Sequence, residues 1–200
     1  MSSDAATIDP GRPVVLRRGT VLTMNNAHDV LHDADVLVVD DRIAGVGPGL
    51  ETPEGAFEID ASGGIVMPGM IDTHRHMWQT ALRGYGADWT LAQYFVFFYL
   101  EWGKIFRPQD IYAGNLLAGV ESVDAGVTTT LDWSHGLQTV EHAEAAADAL
   151  LAVGGRFVLG CGNLLGGPWE WSTDPAFQAF VARRTAGDTD TEPPVAAMRL

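Results

Sequence analysis

Past Gly64 the chain alternates between strand-like and helix-like segments, and that alternation constrains its fold more than any other feature. Apolar or β-branched runs at residues 65–73, 127–132 and 156–161 are separated by stretches with helical spacing. Successive strands that run the same way need a long crossover, usually a helix. The pattern therefore predicts an α/β fold with about three parallel βα units. The punctuation agrees with this reading. Thr90-Leu91-Ala92-Gln93 has the form of a capping box and predicts a helix to about Trp102. Pro108 suits a first helical turn, Leu116, Val120 and Val123 recur at helical spacing, and Gly126 ends that segment. Val140 to Val153 reads as the next helix, stopped by Gly154-Gly155. Asp174-Pro175 opens another, to about Ala186, followed by a polar, turn-rich stretch at 187–194. Residues 77–89 read as a long loop, and 65–73 as a buried strand.

Before Gly64 the rhythm is different. Residues 1–13 are polar and read as a disordered leader. Short strand-like runs follow at Val14-Val15-Leu16, Val21 to Met24, Val36 to Val39 and Phe57 to Asp60, with Asp40-Asp41 turning the chain into a return strand at Arg42–Gly47. Residues 14–64 are expected to form a small β-sandwich subdomain, and 65–200 the βα part.

Charge and composition exclude several function classes. Asp and Glu outnumber Lys and Arg by 26 to 12, a formal charge of −14, which repels phosphate backbones and argues against nucleic acid as a partner. The leader lacks the apolar stretch of a signal peptide. The longest aromatic-apolar run, Tyr94 to Leu100, falls short of the roughly 20 residues that span a bilayer. No membrane association is expected, and the cytoplasm is the default location. The single cysteine, Cys161, rules out an intrachain disulfide and is expected to be a buried, reduced thiol. No Gly-x-Gly-x-x-Gly or phosphate loop opens a helix, which disfavours a nucleotide-binding domain. A homo-oligomer is compatible with all of this.

The chemistry concentrates at the end of the first βα strand. His74 and His76 are one residue apart, so on a strand both side chains point the same way. Two neutral imidazoles make half of a metal site and suit zinc, iron, nickel or copper. The bland reading is two histidines that decorate a strand end.

The run Gly64-Ile65-Val66-Met67-Pro68-Gly69-Met70-Ile71-Asp72-Thr73-His74-Arg75-His76 resembles the first barrel strand of the amidohydrolase superfamily. Trp78-Gln79-Thr80-Ala81-Leu82-Arg83-Gly84 resembles its cytosine/guanine deaminase and triazine hydrolase branch, as does Ala125 to Asp132 for the second strand. The resemblance extends from about Val14 to Cys161. It implies a metal-bearing (β/α)₈ TIM-type barrel joined to a small β-sandwich, in an enzyme that hydrolyses C–N and sometimes C–Cl bonds of small molecules. His74 and His76 would be the first two ligands of a divalent metal, zinc in the first instance with iron as the alternative. Gln79 would hydrogen-bond the edge of a heterocyclic substrate. Trp78 and Trp89 would wall its pocket, or simply pack the interior. Arg83 would face an anionic substrate group or stabilise its loop. His135 would touch substrate or support a ligand from behind; His142 reads as surface, and His28 and His32 as remote. Trp169-Glu170-Trp171 follows the third strand on the side of the site.

The resemblance also implies further ligands from the fifth, sixth and eighth strands, and a proton-shuttling glutamate. A complete barrel takes about 250 residues. The expectation is therefore an incomplete barrel of about three βα units, the N-terminal portion of a longer hydrolase, with its acid/base carboxylates beyond residue 200. Alone, this chain is expected to be inactive. The expected reaction of the intact enzyme is deamination of a nitrogen heterocycle by metal-activated water. A chlorohydrolase or cyclic amide hydrolase of the same fold, or a non-catalytic metal-binding fragment, are the alternatives.

Overall fold

The computed structural model describes residues 11–161, together with Ala179, Ala182 and Arg183. Most of the leader, the Trp169-Glu170-Trp171 segment, the stretch 187–194 and most of the helix expected over 174–186 lie outside the described residues. The chain divides into two compact units between Pro68 and Gly69.

The first unit is a five-stranded sheet. Strands β1 (Val14–Leu22), β2 (Val30–Val39), β3 (Arg42–Gly47) and β4 (Phe57–Asp60) run in the order β3-β2-β1-β4, and the short β5 (Ile65–Val66) also pairs with β1. β1 is one strand rather than the two short runs expected. Register shifts on either side of Gly19 let it continue past the break in its apolar pattern. β2 and β3 form the expected hairpin at Asp40-Asp41, with Asp40 in the left-handed region at φ 53°. Among the described residues, Val15, Val21, Ala34 and Val36 are the buried apolar residues of the unit. Arg17 donates to the buried Asp35 at 2.7 Å and to the Leu50 carbonyl at 2.8 Å, so the buried charge is paired.

The expected buried strand 65–73 is in fact two pieces. Ile65–Val66 pair in parallel with β1, and the next strand, β6 (Met70–Arg75), starts after Pro68-Gly69. Proline supplies no N–H to a ladder, so pairing stops there. β6 is mostly exposed rather than buried.

The second unit is mixed α/β. β6, β7 (Val127–Ser134) and β8 (Arg156–Cys161) form a parallel sheet in chain order. Helix α2 (Pro108–Asp124) lies in the crossover from β6 to β7, and α3 (Val140–Val153) in that from β7 to β8. Between β6 and α2 the chain makes a 3₁₀ turn, Met77–Leu82, where a loop was expected. The Thr90 capping box is present and starts α1 (Leu91–Phe95), which continues as a π-helical segment over Val96–Trp102. That segment completes a core of Trp78, Phe98, Tyr99, Ile111, Leu137 and Ala146.

α2 buries Ile111, Gly114, Asn115, Ala118, Gly119 and Ser122, while Val120 and Val123 are exposed. Two further expectations are corrected. Cys161 is exposed at the end of β8. His142 is buried at the start of α3, where its ring bonds Thr139 Oγ1 and the Phe106 carbonyl, each at 2.9 Å. Among the described residues no helix is long and apolar enough to cross a membrane.

Candidate metal centre

β6 ends in a local irregularity that aims the two histidines. Its register with β7 slips between Asp72 and Arg75, and the Asp72 carboxylate accepts the His74 N–H at 3.0 Å. A short polar side chain bonding the backbone two residues on stabilises such a bend. The rings of His74 and His76 then lie 5.2 Å apart, edge to face, His74 exposed and His76 half-buried. His76 is held from across the sheet: its Nδ1 lies 2.8 Å from the Trp133 carbonyl oxygen. A carbonyl only accepts, so Nδ1 carries the proton and Nε2 keeps its lone pair. Burial pushes the His76 pKa down, the bond to Trp133 opposes this, and the charge of His74 adds to the depression. The net lowering, led by burial, favours neutral imidazole, the form that ligates a metal.

His135 lies directly against His76, ring centres 4.1 Å apart, yet it is a different kind of group. It is buried; its Nδ1 accepts the Trp78 indole N–H at 3.2 Å, and its Nε2 bonds the Tyr99 hydroxyl. Indole is a donor only, so in neutral His135 the proton sits on Nε2. Burial, then the charges of His76 and His74, depress its pKa to about 3. With both nitrogens engaged, His135 supports the ring of His76 and is not itself poised to ligate.

A cleft of about 350 Å³ opens beside His76, lined among others by Gln79, Arg83, Tyr94, Phe98 and Glu121. Gln79 and the Tyr94 hydroxyl bond each other at 2.8 and 3.1 Å, and Tyr94 lies 3.4 Å from Tyr99, so the amide is tied back toward His135. Arg83 forms an ion pair with Glu121, which also meets Arg75 at 3.5 Å. Trp78 is fully buried and reaches the site only through His135. Trp89 stacks on Phe97 at 4.7 Å and packs against Trp102, and neither tryptophan lines the cleft. The structure thus brings His74, His76, His135 and Gln79 together and leaves Trp89 in an aromatic cluster.

Two supports carried no role in the sequence reading. The Trp133 carbonyl could not have been found, since every residue has one. Asp132 gave a signal: an acidic residue closing a β-branched run. It is fully buried, accepts from Met77 N–H and Asn115 Nδ2, each at 3.0 Å, and burial raises its pKa to about 6 against the effect of those bonds.

Two imidazoles with at least one free Nε2 fit a borderline metal such as zinc, but a tetrahedral site takes four ligands. Among the described residues, no group of three or more His, Cys, Asp or Glu side chains is placed to hold a metal ion.

The Amidohydrolase family profile matches residues 65–189, more than half of the chain. This chain belongs to the amidohydrolase family. Relatives of this amidohydrolase include the 5-methylthioadenosine/S-adenosylhomocysteine deaminase of Symbiobacterium thermophilum, 37% identical over 160 residues, covering 78% of this chain and 35% of that protein. The 5′-deoxyadenosine deaminase of Methanosarcina acetivorans is 33% identical over 120 residues, covering 60% of this chain and 27% of the relative. Among solved structures, the atrazine chlorohydrolase of Arthrobacter aurescens TC1 complexed with zinc superposes with a TM-score of 0.68 at 25% identity, over 92% of this chain and 45% of that one. The chain therefore spans about a third of the length of the curated relatives it matches.

Proposed function

We propose that this amidohydrolase chain carries part of the metal centre of a hydrolase acting on C–N bonds other than peptide bonds, and that the whole enzyme deaminates a nitrogen heterocycle. The carrying observation is the bond from His76 Nδ1 to the Trp133 carbonyl, which leaves Nε2 unprotonated beside His74. His74 and His76 would hold a divalent metal. Zinc is the first choice, supported by the zinc complex of the chlorohydrolase relative, and iron the alternative. When bound, such a metal lowers the pKa of water toward ~7 and polarises the carbon–heteroatom bond under attack.

The chain's own residues do the rest of what is assigned here. Gln79, held by Tyr94, presents a polar edge to the cleft and orients the heterocycle. His135 keeps the underside of His76 dry and fixed. No group for proton transfer to the leaving amine is assigned among the described residues. The TIM-type barrel reading rests on the parallel βα arrangement of the second unit. The β-sandwich reading rests on an apolar groove of about 240 Å³ on the first unit's sheet, lined by residues such as Leu16, Val36, Val38 and Ile43. The single cysteine supports a reducing, cytoplasmic setting.

A second reading, dechlorination or ring opening, is favoured by the triazine-hydrolase likeness. Assaying the native gene product on 5′-deoxyadenosine, 5-methylthioadenosine and atrazine separates them. Ammonia released from the adenosine compounds is the expected result. Chloride from atrazine, with no ammonia from any amine, would replace the deaminase reading.

A further inference from the structure

We propose that Asp132 is a positioning residue of this metal centre: it touches neither metal nor substrate and holds the peptide that follows His76. The proposal rests on reading His76 as a metal ligand. Asp132 is a fully buried carboxylate at the C-terminal end of β7. Such groups are almost never buried without partners, because losing water opposes the charge. Its two oxygens are divided between two elements. Oδ1 accepts Met77 N–H, and Oδ2 accepts the side-chain N–H of Asn115, itself fully buried on α2, each at 3.0 Å. Met77 opens the 3₁₀ turn, so its N–H is one of the donors a helical start leaves without an internal partner. His76, which precedes the turn, does not cap it, because its ring is turned to Trp133.

The two supports of His76 are therefore consecutive residues of one strand. Asp132 fixes the peptide that leaves His76, and the Trp133 carbonyl fixes its imidazole. The segment has no room to settle elsewhere. Met77 and Trp78 are fully buried, and a Cβ placed on Gly114 of α2 would sit 2.5 Å from the Trp78 carbonyl oxygen. A change at Asp132 is thus felt at the ring of His76 while leaving every metal-binding atom in place.

The test uses the full chain with three variants, Asp132→Ala, Asp132→Asn and His76→Ala. Two quantities are read: zinc affinity by calorimetry, and the His76 tautomer by imidazole ¹⁵N spectroscopy of the metal-free protein. Asp132→Ala is expected to weaken zinc binding about 10–100-fold, as loss of an outer support does, and to give His76 a mixture of tautomers. Asp132→Asn keeps an oxygen for Met77 N–H, and Asn115 can turn its amide to match, so this variant restores most of the affinity. Asp132→Ala with wild-type affinity and a single His76 tautomer overturns the proposal, however far its melting temperature falls. So does an Asp132→Asn protein as impaired as Asp132→Ala. If Asp132→Ala does not fold, Asn115→Ala decides: a smaller loss in both readouts supports the proposal, and no change overturns it. Zinc binding that survives His76→Ala undiminished defeats the metal reading instead, and the tautomer comparison then still judges Asp132.

Discussion

His76 and His135 pack against each other with their rings tilted by 41°, and their partners make them opposites. The Trp133 carbonyl accepts the Nδ1–H of His76 and leaves Nε2 free. Trp78 takes the lone pair of His135 at Nδ1, and Tyr99 takes the other nitrogen. The same side chain keeps a free ring nitrogen in one case and has both nitrogens engaged in the other, because of one donor and one acceptor. A pH dependence follows. His135 titrates near 6.5 when unfolded and near 3 in the native state, so below 6.5 the unfolded chain binds the extra proton first. The native state is expected to lose stability as pH falls from about 6.5 toward about 3. Urea midpoints measured across that range should fall in the wild type and fall less in His135→Gln. Parallel curves would remove His135 as their cause.

At the scale of elements, the 3₁₀ turn after His76 is gripped between β7 and α2, and the grip sets the composition of α2. Its buried face joins Ile111 to the small residues Gly114, Asn115, Ala118, Gly119 and Ser122; Gly114 lies against the turn at Trp78, and Gly119 against Val153 of α3. Gly114→Ala raises helix propensity by about 1 kcal/mol, yet its Cβ meets a backbone oxygen rather than a flexible side chain. The net effect is expected to be a loss of about 1–3 kcal/mol, read by urea unfolding. A gain in stability would mean the turn is free to move. The spacing that marked this helix in the sequence does not mark its buried face. Val120 and Val123 carry the apolar spacing but are exposed, since small residues leave no hydrophobic signal of their own. Where the signal is local, the reading holds: α3 runs from Val140 to Val153, β8 from Arg156 to Cys161, and Thr90 caps α1 through Gln93 as its four-residue motif implies.

At the scale of the whole molecule, the candidate site was legible where it is contiguous in sequence. His74, His76 and Gln79 sit within six residues, and the structure puts His76 and Gln79 on one cleft. What holds them was not legible. The bonds from His76 to Trp133 and from Trp78 to His135 each join residues 57 apart, and Asp132 reaches back 55 residues to Met77. Spacing along one strand carries no record of such partners, and the pairing of β6 with β7 creates them. The pair His74 and His76 is expected to hold a divalent metal, and zinc calorimetry on the wild type, His74→Ala and His76→Ala is the measurement that decides it. The wild type should give one zinc-dependent heat that either substitution weakens strongly. Binding that neither substitution alters would contradict it.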